Sequence, residues 1–133
     1  GDSTHAEVVS ENNFPTGAGL ASSASGFAAL AVAATEAMEL HYSARELSQL
    51  ARQGSGSAAR SIFGGFVEMK RGEKLDGSDV YAIQLKDERY WQLDMLILIT
   101  AEQEKEIGST EGMTLTARTS PYYPSWVASS FTD

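Results

Sequence analysis

Alternation of apolar and polar residues predicts several short strands along the chain. His5–Ser10, Phe66–Lys70 and Val80–Leu85 each alternate over a few residues, as half-buried strands do. Asp94–Thr100 is almost continuously apolar and predicts a buried strand. With the helices described next, the element order indicates an α+β fold with a mainly antiparallel sheet packed on helices.

Helical periodicity predicts two consecutive helices after the first strand. An Ala-rich segment from Leu20 to Leu40 carries apolar residues at helical spacing, namely Phe27, Leu30, Ala31, Ala34 and Met38. Ser43 and Glu46 form a capping-box pattern that starts the second helix, and Gly54 can end it. We therefore expect a buried helix followed by an amphipathic one. Ser109-Thr110 can cap a third helix, and a last helical stretch lies near Trp126.

Composition adds limits on the class of protein. The 133 residues are 42% hydrophobic and 21% charged, which suits one globular domain. A net charge of -8 argues against a nucleic-acid partner, because phosphates require a basic surface. The apolar run near Met95–Ile99 is far shorter than the ~20 residues of a membrane span. The absence of cysteine fits a cytoplasmic location.

The first candidate for ligand chemistry is a loop rich in glycine and serine. It runs from Pro15 to Ala24 and leads into the predicted Ala-rich helix. Glycines allow a ligand to approach the backbone, and the helix start offers N–H groups and a positive dipole end. This combination suits a polyphosphate, although the loop lacks the Gly-Lys-Ser/Thr of a Walker sequence. A glycine-rich turn with a helix-capping serine accounts for the same residues.

A second candidate loop has the sequence Gly54-Ser55-Gly56-Ser57-Ala58-Ala59-Arg60. Two small hydroxyls flank a glycine, and the Arg60 guanidinium suits bidentate contact with phosphate or carboxylate. A flexible loop with a surface arginine is the alternative interpretation. Arg52, at the end of the predicted second helix, is interpreted as structural because a cation there favours the helix dipole.

Charge location favours anion binding at both loops. No charged residue lies between Asn12 and Thr35, and only two arginines lie between Leu47 and Val67. A carboxylate near a bound phosphate would cost roughly 1–4 kcal/mol, so loops without carboxylates are better suited to bind an anion. The two histidines, His5 and His41, are far apart in sequence, and we expect no metal-ligating set.

The two loops together resemble the mevalonate diphosphate decarboxylase family, a branch of the GHMP small-molecule kinase superfamily. The superfamily pattern Pro-x-x-x-Gly-Leu-x-Ser-Ser is matched by Pro15, Gly19, Leu20, Ser22 and Ser23. The decarboxylase branch is indicated by the Asn-Asn-Phe-Pro-Thr before this loop and by Gly-Ser-Gly-Ser-Ala-x-Arg-Ser in the second. A Gly-Ser-Thr-Glu-Gly-Met segment that begins at Gly108 is also similar to a family segment.

The resemblance implies ATP-dependent decarboxylation of mevalonate 5-diphosphate to isopentenyl diphosphate, with Mg2+ assisting. It assigns ATP binding to Pro15, Gly17, Ala18, Gly19, Leu20, Ala21, Ser22, Ser23 and Ser109. It assigns substrate binding to Ser55, Gly56, Ser57 and Arg60. Arg60 and Ser23 are the implied catalytic residues: Arg60 would hold the substrate carboxylate, and Ser23 would lie nearest the transferred phosphoryl group.

The resemblance also implies a domain organisation. Residues 1–100 would form part of a GHMP-type two-layer, phosphate-binding domain, and residues 101–133 a helical segment leading to a C-terminal domain. From the resemblance we expect this sequence to lack the family's first segment and its C-terminal domain, which carries the family's catalytic aspartate. We therefore expect the chain alone to be inactive. The resemblance also allows a homodimer.

Two alternatives remain open on the sequence. One is another GHMP small-molecule kinase, which would need an acidic base near Ser57, whereas no acidic residue lies between Glu46 and Glu68. The other is a non-catalytic phosphate-binding module that uses the same fold.

Overall fold

The computed structural model describes residues 5–98 and 107–132. Two helices come first, α1 (Ser22–Ala37) and α2 (Ala44–Gly54), followed by a 3-10 helix (Gly56–Ile62). An antiparallel pair of strands, β1 (Phe66–Met69) and β2 (Ala82–Lys86), precedes helices α3 (Ser109–Thr119) and α4 (Tyr123–Ser129). The predicted α+β class is confirmed. Within the described ranges, no helix combines the length and apolarity needed to cross a bilayer.

Helix α1 packs through its small residues rather than through its large ones. The buried positions are Ala24, Ala28, Ala31 and Thr35, one turn apart or nearly so. Phe27, Leu30 and Met38, which periodicity placed on the buried face, are 39%, 40% and 61% exposed. That part of the prediction is wrong. Helix α2 and the 3-10 helix pack closely on α1 where Ala31, Ala51 and Ala58 meet, and Leu50 and Ile62 pack against this cluster of small side chains.

Helix α2 starts and ends where the sequence indicates. The Ser43 hydroxyl accepts a hydrogen bond from the Glu46 N–H at 3.3 Å, and the Glu46 carboxylate accepts one from the Ser43 N–H at 2.8 Å. The Ser43 hydroxyl also donates to the Glu46 carboxylate at 2.6 Å, and this bond together with the one from the Ser43 N–H holds the pKa of Glu46 below its ordinary value, because both favour the charged carboxylate. The capping box is confirmed, and the helix ends at Gly54.

Strands β1 and β2 form a two-stranded antiparallel sheet with Val67 opposite Gln84 and Met69 opposite Ala82. Helix α2 is attached to it by Ser48, which is fully buried and accepts a hydrogen bond from the Ala82 N–H at 2.8 Å. This contact fixes the sheet against the helix that leads into the second candidate loop.

Two predicted strands are not strands in the described residues. Residues 5–10 and 94–98 run without ladder pairing, and residues 99 and 100 of the second prediction lie outside the described ranges. Alternation and apolar runs report local preference, but a strand also needs a neighbour to take its backbone hydrogen bonds. Neither segment has one in the part of the chain that the structure describes.

The loop between β1 and β2 is held at two points. The Asp79 carboxylate accepts the N–H groups of Glu73 and Lys74 at 2.7 and 3.2 Å, and these bonds lower the pKa of Asp79 below its ordinary value. The Arg52 guanidinium donates to the Gly77 carbonyl at 3.0 Å. The structural interpretation of Arg52 fits this contact, which joins the end of α2 to the hairpin loop.

The α3–α4 segment is mostly exposed. Helix α3 begins at Ser109 with Gly108 at its N-cap position and no capping side chain, so the expected cap by Ser109-Thr110 is wrong. The capping side chain normally comes from the N-cap residue, and the glycine at this position has none. Trp126 lies within α4, where a helix was predicted. The proposed division at residue 100 stays a prediction.

Candidate phosphate-binding site

The first candidate loop owes its shape to a series of left-handed residues. Gly17, Gly19 and Ala21 have φ of 73°, 84° and 54°, at alternate positions along the chain. Loops with left-handed residues in such positions turn backbone N–H groups towards one concave side, where they bind anions. Near the start of the loop, the Asn12 side-chain amide donates to the Thr16 hydroxyl at 3.0 Å, which closes the turn.

Helix α1 begins directly after this loop with its first turn uncapped. Ala21 occupies the N-cap position and has no side chain that can accept the N–H groups of the first turn. No acidic residue lies in that turn. The positive end of the helix dipole is therefore left without a neighbouring side-chain acceptor, as anion binding requires.

A cavity of about 350 Å3 lies over the loop and the start of α1. Its lining consists of small residues and hydroxyls, from Gly17, Gly19, Ala21, Ser22, Ser23, Ser109 and Thr110. The first turn of α3 thus closes one side of the cavity, although Ser109 is 86 positions from Ser23 in the sequence. Thr110 was named from the sequence only as part of a helix cap and not as a site residue. Its position beside Ser109, in the first turn of a helix, is the signal that would have found it.

The second candidate loop is embedded in the packed part of the molecule. Ser55 caps the end of α2 through its N–H, which donates to the Ala51 carbonyl at 3.2 Å. The 3-10 helix follows at once, and its Ala58 and Ala59 are fully buried against the helices around them. The flexible backbone of the alternative interpretation does not fit this segment, because it continues one helix into another and its alanines are in the core, whereas the surface arginine of that interpretation does fit, since Arg60 is exposed.

The two loops meet through three serine hydroxyls, which we call the hydroxyl row. The Ser55 oxygen lies 3.4 Å from the Ser23 oxygen and 3.2 Å from the Ser57 oxygen. Both separations exceed the usual length of a strong hydroxyl hydrogen bond, so neither contact uses the hydroxyls fully. Each serine keeps donor and acceptor capacity for a ligand. The row therefore offers several O–H donors within one small region, as a phosphate group requires.

Arg60 is exposed at the far end of the second loop. Ser57 and Arg60 are three residues apart in a 3-10 helix, where such positions lie one above the other on the same face. The guanidinium makes no hydrogen bond or ion pair to the described part of the chain, and remains available for an external anion. Its backbone position is thus beside the hydroxyl row, whereas its side chain is in contact with solvent.

The remaining predicted site residues line neither the cavity nor the hydroxyl row. Pro15, Ala18 and Leu20 are exposed on the first loop and do not line the cavity. Gly56 is exposed, and a Cβ added there would meet nothing within 4 Å. Among residues 5–98 and 107–132, no cluster of three or more acidic or histidine side chains is arranged to hold a metal ion.

Comparison with known proteins places this arrangement in a family. A family profile described as "diphosphomevalonate decarboxylase-like N-terminal domain" matches residues 1–82. The chain belongs to this family. The diphosphomevalonate decarboxylase of Saccharomyces cerevisiae is 49% identical over 117 residues, which are 87% of this chain and 30% of the yeast protein. The resemblance that the two loop sequences indicated is therefore confirmed.

Solved structures of the family share the fold. A crystal structure of mevalonate 5-diphosphate decarboxylase aligns with a TM-score of 0.68 and 44% identity, over 86% of this chain and 29% of that one. A second structure, described as MDDEF in complex with MVAPP, AMPPCP and magnesium, aligns with a TM-score of 0.67 and 43% identity. That alignment covers 86% of this chain and 35% of the complexed protein. The chain spans about 30% of the length of the curated relatives it matches.

Proposed function

We propose that this chain supplies the phosphate-binding core of an ATP-dependent mevalonate 5-diphosphate decarboxylase. The observation that carries the proposal is the hydroxyl row, which joins the two loops through Ser23, Ser55 and Ser57. One loop has the backbone of a nucleotide-phosphate cradle, and the other carries the arginine motif. Their contact puts two anionic ligands side by side, as phosphoryl transfer between them requires.

The first loop takes the ATP phosphates. Its N–H groups, the start of α1 and the hydroxyls of Ser22 and Ser23 line one cavity, and Ser109 of α3 completes the nucleotide side. Ser23 belongs to both this cavity and the hydroxyl row, so its hydroxyl is the one nearest the transferred phosphoryl group. Preorganised donors of this kind stabilise the charge on the equatorial oxygens during transfer.

The second loop takes the substrate. Ser55 and Ser57 donate to the diphosphate, with Gly56 leaving the backbone between them open. Arg60 binds the substrate carboxylate as a bidentate partner. The tertiary hydroxyl accepts the γ-phosphoryl group of ATP, and phosphate then leaves. The bond to the carboxylate breaks, and its electron pair forms the carbon–carbon double bond as carbon dioxide departs.

Two components come from outside the described residues. The proton of the tertiary hydroxyl goes to a carboxylate base in another part of the full-length protein. Magnesium arrives with the nucleotide, because the cavity offers it hydroxyl ligands but no carboxylate, and the ion coordinates readily to phosphate oxygens. The complex with MVAPP, AMPPCP and magnesium supports this ligand set. A cytoplasmic location and a homodimer stay predictions.

The test uses a full-length protein that contains this sequence. It is incubated with ATP, Mg2+ and mevalonate 5-diphosphate, and carbon dioxide and ADP are both followed. We expect equal amounts of the two products, and loss of carbon dioxide release in Arg60→Ala. Arg89→Ala is the matched control, since Arg89 is an exposed arginine in the segment after β2, outside both candidate loops, and its activity is expected to be retained.

Other results would replace this proposal. ADP without carbon dioxide indicates a GHMP small-molecule kinase that phosphorylates its substrate and stops there. Retained binding of the diphosphate with neither product indicates a phosphate-binding module without catalysis.

A further inference from the structure

The distance between the two loops is set by a contact behind the hydroxyl row. Ser23 and Phe27 are four residues apart in α1 and therefore lie on the same face, one turn apart. Ser55 directly follows Gly54, the last residue of α2. The face of α1 that presents Ser23 to Ser55 also presents Phe27 to Gly54.

There is no room for a side chain at position 54, because a neighbouring residue fills the space beside Gly54. A Cβ built there would overlap three carbon atoms of the Phe27 ring, so the ring lies directly on the glycine backbone. Gly54 does not have a left-handed backbone, and α-helical geometry alone would allow alanine at this position. The reason for glycine is therefore the close approach of α1 and not the conformation of α2.

We infer that Phe27 and Gly54 are positioning residues that set the separation of Ser23 and Ser55. The ring seated on Gly54 fixes how closely the start of α1 approaches the end of α2. One helical turn away, that approach brings the two hydroxyl oxygens to 3.4 Å. The inference rests on the proposed function for its consequence: the spacing holds the nucleotide and the substrate at the distance that phosphoryl transfer needs.

The expected effect of disturbing this contact is on turnover rather than on binding. Each loop keeps its own donors when the two loops move apart, so each ligand keeps its own contacts. The geometry between the two ligands changes instead, and misplacement by about 1 Å can lower a rate roughly 100-fold.

Gly54→Ala in the full-length protein is the main test. We expect kcat for carbon dioxide release to fall roughly 10- to 100-fold, with KM for both substrates nearly unchanged. The crystal structure of the variant should show the Ser23 and Ser55 oxygens further apart than 3.4 Å. Gly26→Ala is the matched control, because a Cβ at this other helical glycine meets nothing within 4 Å.

A second variant separates positioning from stability. Phe27→Ala removes the ring that the new methyl group meets, so the Gly54→Ala change should have little effect on kcat in that background. The thermal midpoint of each variant is measured alongside kcat. A recovery of kcat in the double variant without a rise in its midpoint cannot come from greater stability.

Three results would overturn the inference. The first is a Gly54→Ala structure in which the Phe27 ring, which is 39% exposed, swings into solvent and the two serine oxygens stay in place. The second is a kcat that is unchanged in Gly54→Ala, and the third is a loss that Phe27→Ala does not relieve. If the unaltered protein releases no carbon dioxide, the proposed function fails, and the oxygen–oxygen separation still decides the inference.

Discussion

The two candidate loops present similar serine hydroxyls but are held in place by different means. The first, around Gly17 and Gly19, lies at the surface and owes its shape to left-handed backbone. The second loop continues α2 into the 3-10 helix, and its own Ala58 and Ala59 are fully buried. The conformation of the first loop is determined mainly by its own backbone, and that of the second mainly by the residues packed around it.

This difference fits the two ligands that we propose. A nucleotide phosphate can be wrapped by a loop whose N–H groups adjust to it, as happens in glycine-rich cradles. The substrate must be held still while a carbon–carbon bond breaks, which favours hydroxyls on packed helices. The predictions below test whether the two loops really depend on different forces. They are made for a full-length protein that contains this sequence.

Enlarging the buried alanine of the second loop should have the largest effect. Ala58→Leu forces three extra carbon atoms into a site where Ala58 is 0% exposed, at a cost of about 1–3 kcal/mol in the free energy of unfolding. Ala18→Leu makes the same change on the exposed first loop and should stay within about 0.5 kcal/mol. Thermal unfolding of both variants measures the difference. Equal losses of stability in the two variants would contradict the view that only the second loop depends on close packing.

Removing the buried hydroxyl in the helix that leads into the second loop should be nearly as damaging to stability. Ser48→Ala leaves the Ala82 N–H buried without its acceptor, which costs about 1–3 kcal/mol. Ser25→Ala is the control, because Ser25 is exposed and its hydroxyl bonds to the Ser22 carbonyl in its own helix. The two thermal midpoints should differ by several degrees. A midpoint for Ser48→Ala close to that of the control would contradict the role of Ser48.

Two backbone substitutions in the first loop should change the free energy of unfolding in opposite directions. Gly19→Ala places a Cβ at φ 84°, where strain costs about 1 kcal/mol even though nothing lies within 4 Å. Ala21→Gly relieves the strain at φ 54° and should stabilise by less than about 1 kcal/mol, because glycine also loses more chain entropy on folding. Denaturation midpoints of the pair report the sign. Two changes of the same sign would show that side-chain contacts determine this loop.

The smallest effect concerns the start of α2, far from both loops. Because hydrogen bonds from Ser43 depress the pKa of Glu46 in the folded protein, the stabilisation by this group is present above the unfolded value of about 4.5. It is lost as the pH falls through the lower folded value. Glu46→Gln should therefore reduce stability near pH 7 and flatten its fall in acid. Thermal midpoints between pH 2 and 7 for both proteins test this, and parallel curves would contradict it.

The sequence alone determined the features that depend on residues close together in the chain. The capping box at Ser43, the end of α2 at Gly54 and the glycine-rich character of both loops are local, and so is the motif that places the chain in its family. Each follows from backbone preference or from hydrogen bonds over a few residues. Charge location also follows directly, because the absence of carboxylates from a stretch of sequence needs no structure.

Only the tertiary structure decided which of these residues meet. Ser23 and Ser55 are 32 positions apart, and nothing in either loop states that their hydroxyls are neighbours. Periodicity chose the large apolar face of α1, whereas close approach of two helices selected its alanines. The unpaired strand predictions failed for the same physical reason: a residue's partners are set by the packing of whole elements, which local patterns do not contain.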